Sequence, residues 1–121
     1  MRHKVAIESR VLVTAIGRPG SSIEKYSFFR ARTVDISITG IGLAMHQSDV
    51  EDFCGLGSKI ILKLNLHLPK ATIEIEAEPV RYALIPHSLP QSVLIGARII
   101  KIPGICYEIY SDYIYAFEPT S

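Results

Sequence analysis

Asp35, Ser37 and Gly40 stand at D-x-S-x-x-G spacing within Arg30-Ala31-Arg32-Thr33-Val34-Asp35-Ile36-Ser37-Ile38-Thr39-Gly40-Ile41-Gly42-Leu43. The segment reads as strand, tight turn, strand. Asp and Ser carry short side chains that hydrogen-bond nearby backbone, and glycine accepts the positive φ that tight turns often need. Such a cluster does hydrogen-bond chemistry rather than bond breaking. Other reactive residue types do not assemble. His3, His46, His67 and His87 lack metal-ligand spacing, and each falls in a terminus, a loop or the polar face of a strand. Glu74, Glu76 and Glu78 alternate along a hydrated strand face, with nothing to desolvate or orient a carboxylate pair. Cys54 and Cys106 have no partner spacing and read as free thiols of a reducing cytosol. No nucleophile elbow, Walker loop or dinucleotide fingerprint occurs, and Gly55-Leu56-Gly57 reads as a turn before a strand. Neither an enzyme nor a metal site is expected.

The turn needs strands to hold it, and the chain supplies short ones. Val11 to Ile16 is β-rich and ends at the turn-forming Gly17-Arg18-Pro19-Gly20-Ser21-Ser22. Phe28 to Ile36 and Ile41 to Met45 follow. Ser48 to Phe53 reads as one helical turn, with Ser48 and Glu51 as a capping box. In Lys59 to Leu68, residues Ile60, Leu62, Leu64, Leu66 and Leu68 share one face. In Thr72 to Tyr82, residues Ile73, Ile75 and Ala77 point in until Pro79, where the phase slips. Pro79 marks an edge or a bulge, and Val80 and Tyr82 become the expected inward residues. Val93 to Ile102 is the sixth run. From Pro103 the apolar period turns helical, through Ile105, Ile109, Tyr113 and Phe117, with Cys106, Tyr110 and Ile114 beside them. This pattern predicts an all-β fold, a small six-stranded antiparallel barrel with a C-terminal helix covering one open end. The expected division is a basic arm over 1–10, the barrel over 11–102, and the helix and tail over 103–121.

Composition narrows the function. The chain has 121 residues, 48% apolar and 21% charged, which is ordinary for one globular domain. Its formal net charge of +1 argues against general DNA or RNA binding, so any anion must meet a local cluster. No apolar run reaches the length of a membrane span, and the stretch after Met1-Arg2-His3-Lys4 is too short for a secretory signal. A cytoplasmic protein without membrane insertion is expected.

The D-x-S-x-x-G segment resembles the second signature of the PilZ domain, the bacterial receptor module for cyclic di-GMP. Asp35-Ile36-Ser37-Ile38-Thr39-Gly40 matches every fixed position, and Ile41-Gly42-Leu43 continues as the family does. Gly57-Ser58-Lys59-Ile60-Ile61-Leu62, Glu78-Pro79-Val80-Arg81-Tyr82 and Leu94-Ile95-Gly96-Ala97-Arg98-Ile99 resemble later family strands, the last with Ile99 in place of Phe. The likeness covers nearly the whole chain. The family's first signature, R-x-x-x-R, is incomplete. Arg2-His3-Lys4-Val5-Ala6 keeps only its first arginine, and Ala6-Ile7-Glu8-Ser9-Arg10 only its second. The former is preferred, because it leaves the usual length before the first strand.

The resemblance implies a cyclic di-GMP receptor and no enzymatic cofactor. Arg2 would clamp phosphate or a guanine from the arm, while Asp35, Ser37 and Gly40 hold the guanine from the barrel surface. Lys4 and Arg10 are weaker candidates for the missing cation, and Tyr82 for stacking on a base. The arm would be loose without ligand and fold over it. An arginine offers a planar fork for phosphate or for guanine O6/N7, so losing one costs about 1–3 kcal/mol. The resemblance also implies a monomer or dimer acting on a protein effector of motility, secretion or exopolysaccharide machinery. The alternative is a degenerate PilZ module that binds no nucleotide and serves as a protein–protein adaptor.

Overall fold

The computed structural model describes residues 3–16, 24–54 and 59–116. Six strands and two helices follow in the order β1 (His3–Ile16), β2 (Glu24–Ile36), β3 (Gly40–His46), α1 (Gln47–Cys54), β4 (Lys59–His67), β5 (Thr72–Leu84), β6 (Ser92–Lys101) and α2 (Gly104–Tyr115). The strands close into a barrel in the order β1-β2-β3-β6-β5-β4, with every neighbouring pair antiparallel. Closure leaves no free sheet edge. The expected six-stranded antiparallel barrel with a C-terminal helix is therefore the fold.

Alternation drives the packing. Leu62, Leu64 and Leu66 of β4, and Ile73, Ile75 and Ala77 of β5, all point into the core. Val11 and Val13 of β1, Ile41 and Leu43 of β3, and Ile95 of β6 meet them there. Burying a Val, Leu or Ile side chain contributes about 1.5–3 kcal/mol, so these rows hold the barrel shut. At the end that carries the β2–β3 turn, α2 buries Tyr110 and Ile114 in the same core, with Cys106, Ile109 and Tyr113 partly buried against it. At the other end, α1 inserts Val50.

Four local expectations are corrected. Residues 3–10 are not a separate arm but the first half of β1, because Ile7 and Ser9 point inward and are buried. Helix α1 runs for 8 residues from Gln47, so Ser48 lies inside its first turn instead of capping it. Val80 points out and is 62% exposed. The buried stripe of α2 is centred on Tyr110 and Ile114, while Ile105 is exposed. The Gly17–Ser22 turn, the Gly55–Gly57 turn and Phe117 lie outside the described residues.

Candidate functional site

Asp35 owes its position to a mismatch between strands. On β2, Ala31 and Thr33 are buried and point inward, so strict alternation would turn Asp35 into the core as well. The pairing with β3 shifts instead: Thr33 faces Leu43 and Asp35 faces Gly42, leaving Val34 as an extra residue. This bulge swaps the faces, so that Ile36 is buried and Asp35 turns to the outer surface. A second shift, between Lys4 and Ile7 of β1, accommodates the same kink from the other side. A carboxylate is thereby held half-buried on the barrel wall without entering the core.

Gly42 leaves room for it. A Cβ on Gly42 would stand 2.5 Å from Asp35 Oδ2, closer than any real side chain tolerates. The carboxyl group thus lies down over the β3 backbone. Any larger residue at position 42 would lift it away.

The turn beyond Asp35 is closed from three sides. Ser37 N–H donates to the Gly40 carbonyl at 2.9 Å, and Gly40 N–H donates to Ser37 Oγ at 3.0 Å. Ser37 Oγ returns its proton toward the Gly40 carbonyl over a longer 3.2 Å. Ile99 N–H of β6 donates to the Thr39 carbonyl at 2.9 Å. Tyr110 Oη, fully buried on α2, donates to the Ser37 carbonyl at 2.5 Å. Ser37 itself is buried. Its hydroxyl is thus first a turn-building group, and the turn is fastened to both the sheet and the closing helix.

The other candidate residues separate. Lys4 lies directly across from Asp35 and is exposed. Arg10 pairs with Arg30, five residues along β2 from Asp35, or roughly 16 Å at strand rise. Arg2 lies outside the described residues. Tyr82 pairs with Ile95, whose side chain points inward, and it lines a shallow groove against α1 with Val50 and Leu84. That is the opposite face of the wall from Asp35. The structure brings Lys4, Asp35, Ser37 and Gly40 together and leaves Arg10 and Tyr82 elsewhere. Among the described residues, no three His, Cys, Asp or Glu side chains come close enough to hold a metal ion.

The barrel as a whole is similar to solved structures. The PilZ domain of YcgR from Escherichia coli, solved with c-di-GMP, superposes with a TM-score of 0.63, at 9% identity over 96% of this chain and 87% of that one. The fold is that of a PilZ domain. Apo MrkH from K. pneumonia gives a TM-score of 0.65 at 17% identity, covering 96% of this chain and 48% of MrkH, so the PilZ barrel here spans about half of that protein. At such identities the likeness is one of fold. Neither protein-family models nor curated protein sequences match the chain.

Two contributors to this arrangement were not read from the sequence. The bulge at Val34 left a trace, since the inward residues Thr33 and Ile36 are three apart rather than two. Tyr110 left none beyond its helical spacing, which marks a core residue and says nothing of the partner its hydroxyl finds.

Proposed function

We propose that this PilZ barrel is a cyclic di-GMP receptor module, and the observation that carries the reading is Asp35. Its carboxylate is turned outward by a bulge, laid over a glycine and set beside a turn fastened by Tyr110. A carboxylate so held accepts from the N1–H and N2–H donors of guanine, an edge that adenine lacks. A structural neighbour, the PilZ domain of YcgR, was solved with this ligand. Lys4, across the strand, supplies a cation for phosphate, and Arg2, two residues earlier, supplies the fork of the first signature. Ser37 and Gly40 act through the turn: they present its backbone to the ligand, and the long Ser37 hydroxyl bond leaves that proton available for redirection.

The module acts on a protein effector, because a receptor must pass its state to something else. Since β1 already runs from His3, the signal lies in what the nucleotide adds to the outer wall, not in folding a loose arm. No helix among the described residues is long and apolar enough to cross a membrane.

Titration calorimetry with cyclic di-GMP at moderate salt tests the reading. Saturable binding at or below about 10 μM, equivalent to roughly 7 kcal/mol, supports it when Asp35→Ala weakens that binding. No heat and no thermal shift at millimolar ligand would exclude it and favour the adaptor. Tyr82 and Leu84, exposed at the end of β5 beside α1, would then be the first surface to examine.

A further inference from the structure

The incomplete first signature leaves the site one guanidinium short, and the barrel wall carries an arginine in reach. Pairing runs without a gap from Lys4 of β1 to Asp35 of β2, Gly42 of β3, Gly96 of β6 and Arg81 of β5. These five residues form one row around the outside of the barrel. Arg81 reaches it by the device that serves Asp35. Pro79 faces the buried Ala97, Arg81 faces Gly96, and Val80 is left over as a bulge. Arg81 therefore turns outward and Tyr82 does not.

Arg81 drapes over Gly96. Its Nε, Cβ and Nη2 lie 3.5, 3.6 and 3.7 Å from where a Cβ on Gly96 would be. Asp35 leans over Gly42 from the other side. The two α-carbons are three strand spacings apart, about 14 Å, but each side chain leans inward across a glycine. Their polar ends consequently lie over two glycines that are direct partners on adjacent strands. Arg81 makes no ion pair among the described residues. The neighbouring outward arginine on β6, Arg98, is already held by Glu78 at 3.0 Å.

We propose that Arg81 is the second guanidinium of the nucleotide site, delivered from β5 instead of from the N-terminus. This assignment rests on the cyclic di-GMP reading and sharpens it. Guanine carries its N1–H/N2–H donor edge and its O6/N7 acceptor edge on adjacent sides of the ring, meeting at O6. A carboxylate and a guanidinium that read both edges must approach the ring from adjacent sides, as heads laid over the partnered Gly42 and Gly96 can. Adenine reverses the requirement: it presents an amino donor where O6 would be and no N1–H to the carboxylate. The row therefore selects guanine by charge and by fork geometry at once. Gly42 and Gly96 matter because they let both heads lie close to the sheet.

The test is calorimetry of the full chain with cyclic di-GMP and with cyclic di-AMP, using wild type, Arg81→Ala, Arg81→Lys, Gly96→Val and Arg30→Ala. Arg81→Ala and Arg81→Lys are each expected to lose about ten- to a hundredfold in affinity for cyclic di-GMP, since lysine keeps the charge and lacks the fork. Gly96→Val fills the space under the guanidinium with a residue that strands favour, and is expected to lose about tenfold while its melting temperature holds. Arg30→Ala removes the same charge from a distant part of the wall and is expected to stay within about threefold of wild type. Cyclic di-AMP should give no saturable heat. Wild-type binding that Arg81→Ala leaves within about threefold overturns the assignment alone. Arg81→Lys equal to wild type also overturns it, by reducing Arg81 to a diffuse charge. A wild type that binds no cyclic di-GMP overturns the receptor reading, and this assignment with it.

Discussion

The row from Lys4 to Arg81 and the cluster of Arg10, Arg30 and Arg32 lie on the same outer surface and use the same kinds of side chain. In the cluster, Arg10 and Arg30 are direct cross-strand partners, and Arg32 faces Glu8. These residues stand on regularly paired strand, so each follows the ordinary alternation and projects into water beside a neighbour of its own size. Like charges directly opposite one another are mildly destabilising, and exposed pairs contribute about 0–1 kcal/mol. In the row, two bulges re-aim an acid and a base, and two glycines let them lie against the backbone and converge. The cluster has more cations, yet the row has defined geometry. What distinguishes the row from the charged patch is the interruption of the strands, not the count of arginines.

The sharpest break of this comparison is Asp35→Ala set against Arg30→Ala. Removing the re-aimed carboxylate is expected to lower cyclic di-GMP affinity about a hundredfold, near 2.7 kcal/mol, while Arg30→Ala stays within about threefold. Calorimetry at two salt concentrations reads both, and equal losses would erase the distinction between row and cluster. Tyr110→Phe comes next and is read in stability. It leaves the buried Ser37 carbonyl without its donor from α2, at a cost of about 1–2 kcal/mol and a melting temperature about 3–8 °C lower. Tyr107→Phe, on the exposed side of the same helix, should melt with the wild type.

Gly42→Ala probes the cradle directly. The added methyl meets Asp35 Oδ2 at 2.5 Å, so the carboxyl must swing away. Affinity is expected to fall about tenfold with the fold retained, as checked by calorimetry and circular dichroism. Gly104→Ala is the smallest effect and the control for glycine replacement itself. Nothing lies within 4 Å of a Cβ there, at the start of α2. Stability should rise by up to about 1 kcal/mol in a denaturant titration, with affinity unchanged.

Much of the barrel was legible because its signals are local. The inward leucines of β4, the inward isoleucines of β5 and the D-x-S-x-x-G turn are set by residues a few positions apart, and the structure retains each. The helical period after Pro103 marked the element that closes the barrel, although its most buried stripe is Tyr110 and Ile114 rather than the row through Ile105. Pro79 signalled a bulge in β5, but not that Val80 would be the residue left over. Residues 3–10 read as an arm because their alternation is weak, with Ile7 and the polar Ser9 as its inward residues. Ser9 is tolerated inside because its hydroxyl meets Thr33 Oγ1 at 2.7 Å.

The amino-acid sequence alone determined the strand faces, the turn chemistry, the helical end and the missing arginine of the first signature. All of these follow from side-chain period, backbone preference and residue identity along a short stretch of chain. Tertiary structure decided which way Asp35 and Arg81 face, that Gly42 and Gly96 are neighbours, and that Tyr110 fastens a turn 73 residues away. A bulge is a difference in length between two paired strands, and a barrel register is the joint solution of six such pairings. Neither quantity belongs to any single strand, so neither can be read until all of them have closed.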